Sequence, residues 1–190
     1  MKNVVAGVDE VGRGSLVGPV YAAAVILGNK IDISKLKDSK KLSKKNLNIL
    51  EKYIKKNSHW SIGSASLKEI EKLNILNAIL LAMKRAVKNL KKKPKVVLVD
   101  GNKTPKIKNY NLKYVIKGDQ KIPEISAASI IAKVSRDRLI SKMSKKYKGY
   151  LWNKNAGYGT KDHLSAIKKY GITKHHRRKF KPIHNILSLK

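Results

Sequence analysis

Four acidic residues stand where apolar or regularly patterned segments end, in a chain that is poor in acids. They are Asp9, Glu10, Asp100 and Asp119. The first two directly follow the apolar run 4–8, the third closes the run 96–99, and the fourth lies between a strand-like and a helix-like segment. Four carboxylates in one crevice would repel each other, and their pKa values would rise unless a cation held them. Because hard divalent ions take oxygen ligands, the pattern predicts a site for Mg²⁺ or Mn²⁺.

A Gly12-Arg13-Gly14 turn comes just after the first two acids. Glycine lets the backbone bend and lets another molecule approach the main chain closely. Since strand side chains alternate between faces, Asp9 and Glu10 should not point the same way if the strand continues past them. The alternative interpretation is an exposed strand end with solubilising acids. The chain has only 12 acidic residues against 44 basic ones, which favours a metal site beside a close backbone contact.

The composition indicates a folded, strongly basic protein. A length of 190 residues with 42% hydrophobic content fits one domain with a real core. The formal charge of +32 is spread from Lys30 to Lys190, so it indicates several basic faces rather than a basic tail. Such a field attracts polyanions, with nucleic acid the first expectation and an anionic membrane surface the second. Part of the lysine excess is attributed to compositional bias, because Ile and Asn are also abundant.

Several classes of protein and site are excluded by what the sequence lacks. Without cysteine there are no disulfides, thiolate metal sites or cysteine nucleophiles. The N-terminus does not have the order of regions found in a signal peptide. The longest apolar stretch, residues 19–27, is too short to span a bilayer. We therefore expect a soluble, cytoplasmic protein that does not act at a membrane.

The hydrophobic periodicity and turn signals predict an α/β chain. The expected strands cover residues 4–8, 19–27, 59–65, 95–100 and 112–117, with the fourth buried on both faces. The expected helices run from a Ser43 cap to about residue 57, from a capping box at Ser66 to segment 91–94, from 125 to 147, and from a Thr160 cap to 171. Residues 152–160 are expected to form a loop. With no repeat or linker, the prediction is a single catalytic domain over 1–190 with a C-terminal helical extension at about 150–190.

The topology decides whether the acids meet. In an open sheet flanked by helices, sites form at the carboxyl ends of parallel strands. If the first and fourth strands are parallel neighbours, Asp9 and Asp100 meet, and Glu10 and Asp119 close the ring. An acidic pocket on a basic surface suits the cutting of phosphodiesters, because the surface binds phosphates and the metals activate water.

Motifs along the whole chain resemble the ribonuclease HII family. They are Val8-Asp9-Glu10-Val11-Gly12-Arg13-Gly14 with Gly18-Pro19-Val20, Asp38-Ser39-Lys40-Lys41-Leu42, the segment 74–83, Lys117-Gly118-Asp119 with the segment 126–137, Gly157-Tyr158-Gly159-Thr160, and His176-Arg177-Arg178. The resemblance implies a ribonuclease H-like fold, a mixed five-stranded sheet flanked by helices. No substrate-binding domain precedes the first motif, which separates the chain from the related ribonuclease HIII.

The resemblance also implies a reaction and the residues that perform it. The metal ligands would be Asp9, Glu10, Asp100 and Asp119. The Gly12-Arg13-Gly14 backbone would read the ribose 2′-hydroxyl, Tyr158 would stack on the next deoxyribose, and Lys40 would contact a phosphate. The substrates would be RNA–DNA hybrids and duplex DNA with single embedded ribonucleotides, cut on the 5′ side of the ribonucleotide to leave 3′-hydroxyl and 5′-phosphate ends. We expect a monomer with no obligate protein partner, acting in ribonucleotide and RNA-primer removal.

Alternatives remain for several residues and for the whole chain. Asp137 competes with Asp119 as the fourth ligand, although a surface ion pair is the preferred interpretation. His175 and His176 resemble a metal pair, but adjacent residues chelate poorly. Trp60 and Trp152 are expected in the core. For the whole chain, the alternative is a non-catalytic basic module that binds structured nucleic acid, which gains nothing from four carboxylates facing phosphates.

Overall fold

The strands of this computed structural model form one mixed five-stranded sheet in the order β3-β2-β1-β4-β5. The strands are β1 (Val5–Val11), β2 (Val20–Leu27), β3 (Ser58–Ala65), β4 (Val96–Asp100) and β5 (Leu112–Val115). The central strand β1 is antiparallel to β2 and parallel to β4, and β5 is parallel to β4. The structure describes residues 4–36 and 42–188, so Lys40 lies outside the described residues. The parallel β1–β4 neighbours on which the predicted site depends are present.

Helices cover both faces of the sheet. They are α1 (Lys44–Asn57), α2 (Leu67–Leu73), α3 (Ile75–Lys88), α4 (Pro123–Ser144), α5 (Trp152–Asn155), α6 (Lys161–Tyr170) and α7 (Lys181–Ser188). One buried cluster joins the sheet to α2 and α3, and a second joins the opposite face to α1 and α4. A third joins α5, α6 and α7 to the end of α4 and to Leu16 and Val17. No helix in the described part of the chain is both long and apolar enough to cross a membrane.

Side-chain caps start three of the helices where the sequence predicts them. The Ser43 hydroxyl accepts from the Asn46 N–H, and the Thr160 hydroxyl accepts from the His163 N–H. Ser66 and Glu69 form both hydrogen bonds of a capping box. Each cap satisfies a backbone donor that the first turn of a helix leaves unpaired. Local chemistry therefore sets the starts of α1, α2 and α6.

The prediction of one long helix after Ser66 is wrong. The chain breaks at Asn74, which has φ 65° and caps α3 by accepting from the Asn77 N–H. Asparagine tolerates left-handed backbone and is a strong N-cap, so one residue ends α2 and begins α3. The apolar periodicity continues across the break because both helices pack on the same face of the sheet. Periodicity alone does not reveal the break.

Other expectations also need correction. The segment 152–160, expected to be a loop, begins with the short helix α5. Strand β4 buries Val97 and Val99 but leaves alternate residues half-buried, so it is covered fully on one face only. Trp152 lies in the core as expected, whereas Trp60 is 37% exposed on the edge strand β3 with the Lys55 ammonium over its ring.

A close approach fixes α4 against the central strand of the sheet. A Cβ at Gly7 would clash with the backbone of Glu124 and Ile125 in the first turn of α4. Only glycine permits this contact between the strand and the helix. Helix α4 therefore starts directly beside the strand that carries Asp9 and Glu10.

Candidate functional site: an acidic pocket beside a glycine turn

The parallel register of β1 and β4 brings acids from both strands together. Val8 is paired with Val99, so Asp9 and Asp100 are the next residues along each strand. Ligand oxygens of Asp9, Glu10 and Asp100 all lie within 4.8 Å of one another. Strand β1 continues to Val11, yet Asp9 and Glu10 both contribute to this group, contrary to the alternation argument. Pairing with β4 stops at Val8, which leaves the two acids at an open edge where the longer Glu10 side chain reaches the same space.

The backbone of the following turn orients Asp100. A 3₁₀ turn at Gly118–Gln120 places the Gly118 N–H 2.6 Å and the Asp119 N–H 3.4 Å from Asp100 Oδ1. Asp119 thus stands beside Asp100, half-buried. Among residues 4–36 and 42–188, the group of mutually close ligand atoms includes Asp9, Glu10 and Asp100 but not Asp119. Three predicted ligands are brought together, and the fourth is adjacent through its backbone.

Burial and mutual repulsion make Asp9 and Glu10 costly to ionise. Burial raises the pKa of Asp9 well above its usual range, and the charges of Glu10 and Asp100 raise it further against a hydrogen bond from the Ser129 side chain. Burial also raises the pKa of Glu10, with a contribution from Asp100 and a partial offset from the Asp9 hydrogen bond and the Arg13 charge. Asp9 is 6% exposed. A cation bound among these oxygens would relieve both costs, so the residues fit a hard divalent ion.

The turn after the acids contains two glycines with different requirements. Gly12 has φ +93°, and a Cβ there would clash with the Arg136 guanidinium, so the fold itself requires this glycine. Gly14 is exposed and has no positive φ, and a Cβ there would meet only Tyr158 Cε1, at 3.9 Å. Among the described residues, none packs against position 14 so closely that glycine is required there. Its small size is available for contact with a bound molecule.

Tyr158 lies against this turn. Its backbone forms an isolated antiparallel bridge with Ser15, and its side chain is 36% exposed. The Arg136 guanidinium lies over the ring, 5.8 Å from its centroid. The two residues predicted to contact the substrate, Gly14 and Tyr158, are therefore neighbours in space although they are far apart in sequence. The exposed Arg13 follows Gly12 on the same turn.

Two fully buried arginines hold the turn in place. Arg136 donates to the carbonyls of Pro19 at 3.1 Å, Ala156 at 3.0 Å and Val17 at 2.9 Å. Arg177 donates to the carbonyls of Gly18 at 3.0 Å and Arg13 at 3.1 Å.

Sequence reasoning did not find this clamp. Both side chains are 0% exposed, whereas arginines are normally found at the surface. The available signal was the position of Arg136, four residues after Ala132 on the small, apolar face of α4.

Arg136→Lys is expected to lower the free energy of unfolding by roughly 2–6 kcal/mol. A lysine can donate to one of the three carbonyls, and each buried acceptor that loses its donor costs about 1–3 kcal/mol. Urea unfolding measures the difference. The matched control is Arg138→Lys two residues away, where an exposed side chain pairs with Glu51, and the expected loss is under about 1 kcal/mol. Equal losses in the two variants would contradict the clamp.

The competing ligand candidates are placed elsewhere. Asp137 pairs with Lys133 at 2.9 Å along α4, which is the expected ion pair with a partner one turn away. His176 is buried against His163 and Trp152, and the His175 ring packs edge-on against Tyr147. Neither histidine belongs to the acidic group.

Comparisons with known proteins point in one direction. A family model described as Ribonuclease HII matches residues 6–183. The ribonuclease HII of Pelagibacter ubique is 68% identical over 184 residues, covering 97% of this chain and 99% of that protein. The ribonuclease H2 structure from Pyrococcus horikoshii is 29% identical with TM-score 0.80, covering 97% of both chains. The Archaeoglobus fulgidus RNase HII solved with PCNA is 26% identical with TM-score 0.81, covering 96% of both chains.

Proposed function

The chain belongs to the ribonuclease HII family and is a ribonuclease H, and from that premise we propose its substrates and the roles of its residues. It cuts the RNA strand of RNA–DNA hybrids and cuts duplex DNA on the 5′ side of single embedded ribonucleotides, leaving 3′-hydroxyl and 5′-phosphate ends. The observation that carries the proposal is the group of three carboxylates within 4.8 Å of one another, two residues from a glycine turn. The cellular role would be removal of misincorporated ribonucleotides and RNA primers.

Asp9, Glu10 and Asp100 would hold Mg²⁺ or Mn²⁺, with Asp119 as the fourth ligand. Ions bound there activate the attacking water and stabilise the negative charge that develops on the leaving oxygen. The Gly118 N–H fixes the direction of the Asp100 carboxylate, and the Ser129 side chain does the same for Asp9. The protein therefore supplies oriented carboxylates at the edge of a rigid sheet rather than on a loop.

The glycine turn and Tyr158 would select a ribose. A 2′-hydroxyl both donates and accepts a hydrogen bond, and it distinguishes RNA from DNA at a given site. In the Gly12-Arg13-Gly14 turn, Arg13 and Gly14 are exposed, and the backbone at position 14 can be approached with no Cβ in the way. Tyr158 beside Gly14 would stack on the sugar of the following deoxynucleotide. Lys40 would contact a phosphate.

We also propose that the chain acts as a single catalytic domain over 1–190 and as a cytoplasmic monomer with no obligate protein partner. The α5–α7 segment supports the single domain, because its apolar residues form one buried cluster with Leu16, Val17 and Ile140. The PCNA of the Archaeoglobus fulgidus complex is a partner of that protein, and none is proposed for this chain.

Binding of duplex DNA should weaken steeply as salt rises. The charge of +32 predicts several lysine–phosphate contacts, and each one contributes about −0.9 to the slope of log affinity against log salt concentration. Six such contacts would give a slope of about −5. Fluorescence anisotropy of a labelled all-DNA duplex in metal-free buffer measures it. A slope near zero would mean that the basic surface is not the binding face.

The decisive test of the proposed reaction is cleavage of a duplex with one ribonucleotide, with and without Mg²⁺ or Mn²⁺. We expect a single cut on the 5′ side of the ribonucleotide, only with metal, and no cut in the all-DNA duplex. The alternative, a non-catalytic basic binder, predicts binding without cleavage under every condition. The acid group disfavours that alternative, since carboxylates facing phosphates would weaken binding.

A further inference from the structure

A pair of histidines is buried directly behind the Tyr158 loop. His163 is 0% exposed and His176 is 1% exposed. Their Nε2 atoms are 3.3 Å apart, and their ring centroids are 5.4 Å apart. The rings of Tyr150 and Trp152 pack against both. Two imidazoles this close in an apolar shell would strongly resist carrying charge.

The partners of the two Nδ1 atoms determine where the protons lie. His163 Nδ1 is 2.8 Å from the carbonyl oxygen of Tyr158, which can only accept, so His163 carries its proton on Nδ1. His176 Nδ1 is 2.8 Å from the backbone N–H of Thr173, which can only donate, so His176 has a lone pair there. The two rings are held in opposite tautomers.

The remaining contacts complete a consistent neutral network. His176 carries its proton on Nε2 and donates it to the lone pair of His163 Nε2. That lone pair also accepts the indole N–H of Trp152 at 2.9 Å. Burial lowers the pKa of His163, and burial with the neighbouring His163 lowers that of His176 to about 4. Both rings are therefore neutral at neutral pH, and the tautomer of each ring is set by the backbone partner of its Nδ1.

The network ends on the loop that faces the substrate. The carbonyl that His163 holds belongs to Tyr158, whose backbone bridges Ser15 in the glycine-turn segment. The backbone of the second histidine, His176, forms an isolated antiparallel bridge with Val17. The pair thus connects α6 and the tail to both sides of the candidate ribose-reading site.

We propose that His163 is a positioning residue for Tyr158: its Nδ1–H fixes the Tyr158 carbonyl, and the donors of Trp152 and His176 at Nε2 keep that proton on Nδ1. The proposal rests on the proposed function only in that Tyr158 contacts the substrate. Neither histidine touches the reacting atoms, and neither is expected to change its protonation during the reaction.

Long-range ¹H–¹⁵N NMR of the histidine side chains tests the protonation states without any activity measurement. At pH 7 we expect the Nδ1–H form for His163 and the Nε2–H form for His176. In His176→Asn, whose side-chain oxygen can still accept from Thr173, we expect His163 to keep the Nδ1–H form, because the Tyr158 carbonyl and the Trp152 indole N–H both remain. An imidazolium at either position, or the reverse assignment, would overturn the proposal whether or not the protein cuts RNA.

Kinetics test the connection to Tyr158. His163→Leu removes the donor, and we expect kcat/KM on a one-ribonucleotide duplex to fall about 10- to 100-fold while affinity for the all-DNA duplex is unchanged. His163→Asn places an amide N–H near the position of Nδ1, and we expect it to recover most of that loss. The exposed His59→Leu is the control and should match the wild type. Thermal unfolding confirms that each variant is folded at the assay temperature.

A double-mutant cycle separates positioning from general packing. If His163 acts through Tyr158, His163→Leu should cost little more in a Tyr158→Ala enzyme, so the two effects should not add. Fully additive losses, or no recovery by His163→Asn, would overturn the proposal. A Tyr158→Ala enzyme with wild-type kcat/KM would overturn the substrate role of Tyr158 and the positioning role with it. If the wild type cuts no ribonucleotide, the proposed function fails, and the NMR result stands separately.

Discussion

Asp9→Asn is expected to lower kcat on a one-ribonucleotide duplex by about 10³-fold or more, because groups that act as one catalytic unit lose nearly all activity when one is removed. Asn keeps the shape of Asp9 and its contact with the Glu10 N–H but removes the charge that would hold the metal. Affinity for the duplex should change little. Single-turnover cleavage in Mg²⁺ and in Mn²⁺ measures the effect. A rate near that of the wild type would show that Asp9 is not a metal ligand.

The same substitution should raise the stability of the metal-free protein. A carboxyl whose pKa is raised on folding opposes folding when it is ionised, so removing its charge at pH 7 favours the folded state. A gain of about 1 kcal/mol would raise the melting temperature by roughly 2–4 °C. Added Mg²⁺ should stabilise the wild type but not the variant. The control is Asp162→Asn, an exposed acid in the first turn of α6, where a small loss of stability and no loss of rate are expected.

Gly14→Ala is expected to lower kcat/KM on a one-ribonucleotide duplex by roughly 5- to 150-fold, corresponding to the loss of one good hydrogen bond at about 1–3 kcal/mol. In this structure, Gly14→Ala tests contact with the substrate without disturbing the fold. The added methyl meets only Tyr158, at an ordinary contact distance, so the folded protein should accept it without strain. The methyl group would occupy the space in which a ribose 2′-hydroxyl approaches the backbone.

The assay compares cleavage with binding of an all-DNA duplex in Ca²⁺, where we expect Gly14→Ala to bind like the wild type. Gly12→Ala provides the contrast, since its Cβ would clash with Arg136 and the backbone there is left-handed. That variant should lose stability and all its functions together. If Gly14→Ala lost binding and cleavage in equal measure, the turn would serve the fold, and the 2′-hydroxyl would be read elsewhere.

The parts of the fold and site that the sequence predicted are those set by local chemistry. Acids at the ends of apolar strands located Asp9 and Asp100, and hydroxyl caps located the starts of α1 and α6. The parallel pairing of the first and fourth strands was a condition of the predicted site, and the motif resemblance supplied the family and its mixed five-stranded sheet. The structure places Gly14 and Tyr158 next to each other. Their contact with the substrate remains a prediction.

The parts that the sequence did not predict depend on partners far along the chain. From the sequence alone, Arg136 cannot be distinguished from a surface cation. Its burial depends on three carbonyl partners that come from two separate loops. The tautomer of His163 depends on the Tyr158 carbonyl and the Trp152 indole N–H, and that of His176 on Thr173. The break at Asn74 is local, but a continuous apolar stripe conceals it. The burial of a polar side chain can be explained only when its hydrogen-bond partner is known.

The clamp on the glycine turn has a consequence for how the protein is made. Arg177 Nη1 and the Arg13 carbonyl are 164 residues apart in sequence, and the Arg177 backbone N–H donates to the Leu16 carbonyl. Contacts of such sequence separation form slowly, because the intervening chain must be ordered first. A chain emerging from the ribosome at about 5–20 residues per second exposes its acid strand long before its tail exists. The surface that would distinguish ribose from deoxyribose is thus among the last parts of the molecule to take shape.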